Sequence, residues 1–307
     1  MSRRGWALFA AMSLLWGLPY LLIQVAVDSM SVPFLVSARG LLGAAMLLPF
    51  AGLGRHGAVL RRHWRPVAVL ALLEMVVPWT LLAHAETRLN SSTTGLLIAA
   101  APLVACLVAA ATPGGERLGP IRVLGLAAGF AGVALLAGPR LRGDVVAVAE
   151  VLATAVCWAV APLVVARRLQ DVPAVPLTAV CLAISGLVTL PPAAARTPTE
   201  LPPPSALAAL AGLAAVCTAL AFVTFFALVR EAGPSRTLVV TYISPAVSVA
   251  AGALVLGEPV GTGTIAALGL IVGGCVLATS GEHGARPAGP PRESGPPRRA
   301  PVPAVTD

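Results

Sequence analysis

The sequence contains no lysine and little charge of either sign: charged residues make up 11% of its 307 residues, hydrophobic residues 57%, and the mean hydropathy is +0.88. A water-soluble domain carries about a quarter charged residues, so this composition excludes one and indicates a membrane protein. The net charge of +8 comes from 21 arginines. They stand in short clusters between apolar runs rather than on a soluble basic face, which argues against a nucleic-acid partner and for topology signals beside a bilayer. Histidine is scarce, at four residues, and none has the spacing of a metal site. No phosphate-binding glycine loop occurs, so ATP is not expected as an energy source, and neither cofactor nor metal is expected. The five cysteines, Cys106, Cys157, Cys181, Cys217 and Cys275, are dispersed in apolar runs and read as small packing residues, a functional thiol being the lesser alternative. Aromatic residues amount to 5%, which makes the position of each one informative.

What the chain has in abundance is long apolar runs. Breaks at charge, proline and glycine divide it into ten segments, near 5–27, 32–50, 66–84, 91–111, 120–138, 145–166, 174–194, 206–229, 236–256 and 262–280. Each matches the roughly 20 residues that a helix needs to cross the hydrocarbon. The N-terminus begins like a signal peptide, with Arg3 and Arg4, but its apolar part runs past 20 residues and is expected to stay as the first membrane helix. The last stretch, 282–307, is rich in proline, glycine and arginine and reads as a disordered cytoplasmic tail.

With the N-terminus inside, twelve arginines outside the tail fall on the cytoplasmic side and four on the other, which places both termini in the cytoplasm. The halves resemble each other. Trp16 and Trp158 are 142 residues apart, as are Glu116 and Glu258, and Pro102 and Pro245 are 143 apart, each in a similar setting. Residues 1–142 and 143–281 therefore form two five-helix repeats. An odd number of helices per unit turns the second copy upside down, so the expected fold is an all-α membrane protein of ten transmembrane helices in two inverted repeats. Glu116 and Glu258 should lie at opposite faces, each stabilising the start of the following helix or edging a gate.

Several residues stand where a bilayer resists them. Glu74, in ALLEMVVPW, lies about 12 Å into a core about 30 Å thick. A carboxylate there should face the bundle interior or a wet cavity and suits the binding of a proton or a cationic group; pairing with Arg39 is the equally weighted alternative. Arg39 lies about 10 Å into its helix and needs a partner or water, unless it snorkels to the surface. Glu150 is shallower and suits an interfacial or capping role as well as a pathway role. His84, Glu86 and Arg88 read as a solvated rim, with screening of entering solutes as the alternative for Glu86.

Pro19, Pro78, Pro102, Pro162 and Pro245 interrupt apolar runs and should kink their helices, leaving carbonyls that line a cavity. Trp16, Trp79, Trp158 and Tyr242 stand within helices rather than at their ends, and either wall a cavity or simply pack. Gly125, Gly129 and Gly132, and Gly269, Gly273 and Gly274, give small-residue spacing in both repeats, Gly125 with Gly129 and Gly269 with Gly273, as close helix contacts require. These would pack the chain on itself, a homodimer through the same helices being the second option.

Taken together, WGLP at 16–19, ARGLLGAAMLLP at 38–49, AETRLNSSTTGLLIAAAPL at 85–103 and the paired Gly-Glu motifs resemble the drug/metabolite transporter superfamily, EamA type, over about residues 5–280. The resemblance implies a multi-pass secondary transporter of the cytoplasmic membrane, often an exporter of small metabolites or drug-like solutes working by alternating access. A small-molecule substrate, with protons as a candidate coupling ion, is the expected partner besides lipid, and no enzyme activity is expected. The small multidrug relatives carry their key carboxylate in the first helix, where this chain has Trp16 and Gln24 and no acid before Asp28, so coupling is assigned to Glu74. Pathway candidates are Glu74, Arg39, Trp16, Pro78, Trp79, Pro102, Trp158, Tyr242 and Pro245. The competing reading is an integral membrane enzyme or a lipid-intermediate flippase with an interior carboxylate.

Overall fold

The computed structural model describes residues 1–111, 118–137, 144–237 and 239–279. Ten apolar helices dominate it: α1 (Arg3–Val27), α2 (Val32–Phe50), α3 (Trp64–Ala85), α4 (Ser91–Ala111), α5 (Pro120–Ala137), α6 (Val145–Arg168), α7 (Ala174–Ala194), α8 (Pro204–Ala232), α9 (Val240–Leu256) and α10 (Thr262–Thr279). Among the described residues, nine are long and apolar enough to span a bilayer, and α9, at 17 residues, follows a one-turn helix, Pro234–Thr237. No strand occurs among the described residues. In lipid only helices or closed barrels satisfy the backbone, and here every run takes the helical solution.

Local chemistry sets the ends. The Ser2 hydroxyl accepts from Gly5 N–H at 3.0 Å to cap α1, and Asn90 accepts from Thr93 N–H at 3.1 Å to cap α4. Gly233 and Gly257, with φ of 81° and 66°, end α8 and α9 in backbone that side-chain-bearing residues avoid. Proline shapes the interiors unequally. Pro19 breaks α1 after Leu18, and α4 is interrupted at Ala99–Ala100 just before Pro102. Pro162 and Pro245, by contrast, lie within unbroken helices.

The repeats cross one another tightly along two helix pairs, α5 with α10 and α2 with α7. A Cβ added to Gly40 would lie 2.8 Å from Gly186 N, and one added to Gly125 would lie 2.8 Å from Gly274 O. The expected glycine contacts are therefore half right. Gly125 and Gly129 do face α10 and its surroundings, but a Cβ on Gly269 or Gly273 would meet nothing within 4 Å. The helix places Gly274, one residue further round, against α5, and Gly132 beside it completes the contact with Ala267 and Ile271. Gly132 and Gly274 are 142 residues apart, so the same position serves in both repeats.

Leu124, Leu254, Val255 and Ile265 point outward, as a lipid-facing surface requires. Trp6 and Trp64, exposed near the first residues of α1 and α3, sit where interfacial aromatics anchor a bundle. Leu53–Arg62 forms a short helix with Arg55, Arg61 and Arg62 between α2 and α3. Introducing leucine at Gly274 is expected to destabilise the protein by about 1–3 kcal/mol through overpacking, whereas Gly273→Leu should leave it nearly unchanged. Thermal unfolding of the two variants in detergent, side by side, checks this.

Candidate functional site

Two helices depart from α geometry in the middle of the bundle. In α3 the residues Leu72–Val76 form a π-helical turn, closed by Val77 N–H on Leu72 O, and in α8 the residues Gly212–Leu220 do the same over a longer stretch. Shifted by the repeat spacing of 142 residues, the first segment falls on 214–218, inside the second. Such turns cost backbone hydrogen-bond quality and recur at functional sites. Each is held by a side chain from the other repeat. The Trp158 indole of α6 donates to Glu74 O at 3.0 Å, and Arg39 of α2 donates through Nε to Thr218 Oγ1 at 3.1 Å.

Glu74 therefore sits on the distorted turn itself. It is half-buried, beside the buried Ala71 and Met75 and opposite the outward Leu72, and acts electrostatically on Cys157 and Cys181 of the other repeat, which places it on the inward side of α3. Its carboxylate has no hydrogen-bond or ion-pair partner among the described residues, and the alternative of a pair with Arg39 is not formed. Arg39 instead lies with its guanidinium carbon 3.8 Å from the centroid of the Trp79 ring, 7% exposed, which stabilises a charge that hydrocarbon would otherwise penalise. It does not snorkel.

The other candidates are distributed rather than gathered in one place. Trp16 stacks on Phe225 of α8 with ring centroids 5.2 Å apart. Trp158 packs against both large apolar clusters of the bundle, and so separates them. The Tyr242 hydroxyl bonds to Thr279 Oγ1 at 2.6 Å, tying α9 to α10. Pro78 and Pro245 are buried and Pro102 is half-buried. No cysteine is in a disulfide among the described residues, and Cys275 donates to Ala99 O at 3.3 Å across the α4 interruption.

The expected rim at the end of α3 divides in two. His84 and Arg88 are solvated and hold Glu150, His84 Nδ1 at 2.7 Å and Arg88 Nη2 at 2.8 Å, which gives Glu150 its interfacial role. Glu86 is not part of that rim: it is 1% exposed, and neither carboxylate oxygen has a hydrogen-bond partner. Helical geometry accounts for the difference, since positions 84 and 88 share a face and 86 points about 200° away, inward with Leu82 and Leu89. Glu258, Arg39 and the Gln24 backbone act on it electrostatically, and it acts in turn on Tyr20. Gln24, on the same helix as Tyr20, also carries a buried, unpartnered side-chain oxygen.

Glu258 corrects a second expectation. It does not serve the start of α10. The turn at Gly257 carries it back to the N-terminus of α4 instead, where Oε1 accepts from Ser91 N–H at 2.9 Å and from its hydroxyl at 2.7 Å, and Oε2 accepts from Ser92 N–H at 2.9 Å and from its hydroxyl. The free amides and positive dipole end of α4 explain the choice. Gly252 leaves room for this arrangement, since a Cβ there would lie 2.6 Å from Ser92 Oγ. The partner residue Glu116, predicted at the opposite face, lies outside the described residues.

Comparison with known proteins agrees with this geometry. The model of the EamA-like transporter family matches the chain twice, over residues 3–138 and 145–280. The Escherichia coli (strain K12) protein named uncharacterized inner membrane transporter YedA is 26% identical over 281 residues, covering 90% of each chain. The uncharacterized transporter YvbV of Bacillus subtilis (strain 168) is 26% identical over 275 residues, covering 86% of this chain and 88% of its own. One solved crystal structure is 25% identical and superposes with a TM-score of 0.66 over 91% of this chain and 98% of that one. Ten apolar helices, two inverted halves and a family model that fits each half lead to one conclusion: the chain is a multi-pass membrane transporter that belongs to the EamA-like transporter family.

Proposed function

We propose that this transporter is a secondary active exporter of small metabolites or drug-like solutes, working by alternating access, with both termini in the cytoplasm. The observation that carries the reading is the pair of π-helical segments at matching positions of the two repeats, each gripped by a side chain of the other repeat. Irregular backbone at membrane depth is tolerated where it lines a cavity, and inverted repeats pivot about a midplane site. The solute pathway then runs between the two segments, past Glu74, Trp158 and Trp79, with Trp16, Tyr242 and the prolines Pro78, Pro102 and Pro245 shaping the helices around it. Glu74, inward-facing and unpartnered, is the group that holds the solute or a proton. The relatives' description as transporters favours this over a membrane enzyme or a flippase.

Two outcomes are expected. In a thermal-shift screen of purified protein against amino acids, organic cations, nucleosides and sugars at two pH values, one class should stabilise the wild type by about 1–3 kcal/mol, and Glu74→Gln should lose that shift. Full pH-dependent transport by Glu74→Gln would remove Glu74 from the site. Fluorescent-protein and alkaline-phosphatase reporters joined after Thr279 should give bright fluorescence and no phosphatase activity, as a cytoplasmic C-terminus requires; the reverse pattern inverts the assigned topology.

A further inference from the structure

Two carboxylates interact electrostatically at the end of the bundle where α3 stops and α10 starts, and they are treated in opposite ways. Glu258 receives four hydrogen bonds from Ser91 and Ser92, so its charge is fully compensated. Among the described residues Glu86 accepts no geometrically formed hydrogen bond at either oxygen, the Gln24 backbone amide of α1 acting on it only electrostatically, and it is 1% exposed. Its helix contributes no relief, because His84 and Arg88 are committed to Glu150. Of the groups on the elements around it, Tyr20 of α1 is buried, Arg39 of α2 is committed to Trp79 and Thr218, and Glu258 brings like charge. Arg39 acts on Glu86 only at a distance, and an ionised carboxylate with no cation or formed hydrogen bond in contact is costly in a protein interior. A carboxylic acid, which needs only its own proton, is not.

The Glu258 contact is also a joint between the repeats, since Glu258 follows α9 in the second half and the serines begin α4 in the first. Ser248 of α9 adds a hydrogen bond to Ser91 O at 3.2 Å, and Ser91 and Thr94 have no accessible surface. This end of the bundle is therefore closed by a latch that has to break if the end is to open.

We infer that Glu86 is a proton-binding site whose occupancy holds the Glu258 latch shut: with a proton on Glu86 the closed arrangement is stable, and loss of that proton places a second negative charge beside Glu258 and favours opening. The inference rests on the alternating-access reading above and adds a coupling residue to it. By linkage, a closed state that binds the proton more tightly is itself stabilised by the proton to the same extent. No metal or second ion is required. A hard cation would need several oxygen ligands around the carboxylate, and among the described residues the other buried, unpartnered side-chain oxygen on this side belongs to Gln24.

Hydrogen exchange at the Ser91 and Ser92 amides reads the latch directly, because both donate to Glu258. The full-length protein in lipid nanodiscs would be compared from about pH 5.5 to about pH 8.5, a range that brackets shifted carboxylates, with intrinsic exchange rates divided out. Protection in the wild type is expected to fall by about tenfold or more as pH rises, the size of an ordinary coupling between sites. Glu86→Gln, a neutral isostere, should keep high protection throughout, and Glu258→Gln should lose it at every pH. Protection that is flat with pH in the wild type, that keeps the wild-type pH dependence in Glu86→Gln, or that follows sodium at fixed pH overturns the inference. The wild-type series alone decides the matter if Glu86→Gln does not fold. Solute binding measured on the same samples separates the two proposals: a flat latch with intact solute binding removes the Glu86 site alone, and loss of solute stabilisation across the whole screen removes the transport reading.

Discussion

A bilayer supplies no hydrogen bonds, and everything polar in this chain is arranged around that fact. The backbone answers it with ten helices. The departures from α geometry, at Leu72–Val76 and Gly212–Leu220, are each braced by the other repeat: Trp158 donates to the Glu74 backbone carbonyl and Arg39 to the Thr218 side-chain hydroxyl. The same rule governs charge. Arg39 lies on an aromatic face, Glu150 is met by His84 and Arg88 where water begins, and Glu258 is surrounded by amides and hydroxyls. Against that background the bare carboxylates of Glu74 and Glu86 are exceptions, and exceptions of this kind mark where a bundle does something other than hold its shape.

Most of the architecture was legible in the sequence because it follows from length and periodicity. Runs of about 20 apolar residues have one solution in lipid, and Trp16 with Trp158, or Pro102 with Pro245, expose the duplication without reference to any contact. Depth was equally readable, which is how Glu74 and Arg39 stood out. Facing was harder. Glu86 was grouped with His84 and Arg88 by proximity along the chain, although counting 100° per residue already turns it away from both. The spacing of Gly269 and Gly273 matches a contact motif, but spacing alone does not say which side of the helix faces α5, and it is the adjacent Gly274 that does.

Long-range partnership was not legible at all. Nothing in the sequence near Glu258 points to Ser91 and Ser92, more than 160 residues away, since the joint depends on how the turn at Gly257 folds back over α4. Nor does the run LLEMV look different from its neighbours in a way that announces a π turn. These features arise from packing between the repeats, and single-chain patterns describe each repeat separately.

The duplication has one more consequence. At the repeat spacing, Glu74 corresponds to Val216, Arg39 to Cys181 and Glu86 to Leu228, so the interior charges belong to the first half alone. Two identical subunits inserted in opposite directions would exchange roles on each cycle, and their two end states would have equal energy. A fused pair with charge on one side has lost that degeneracy. Under the proposed alternating access, the chain rests preferentially in one orientation, and the work of a cycle is divided unevenly between its two half-turns.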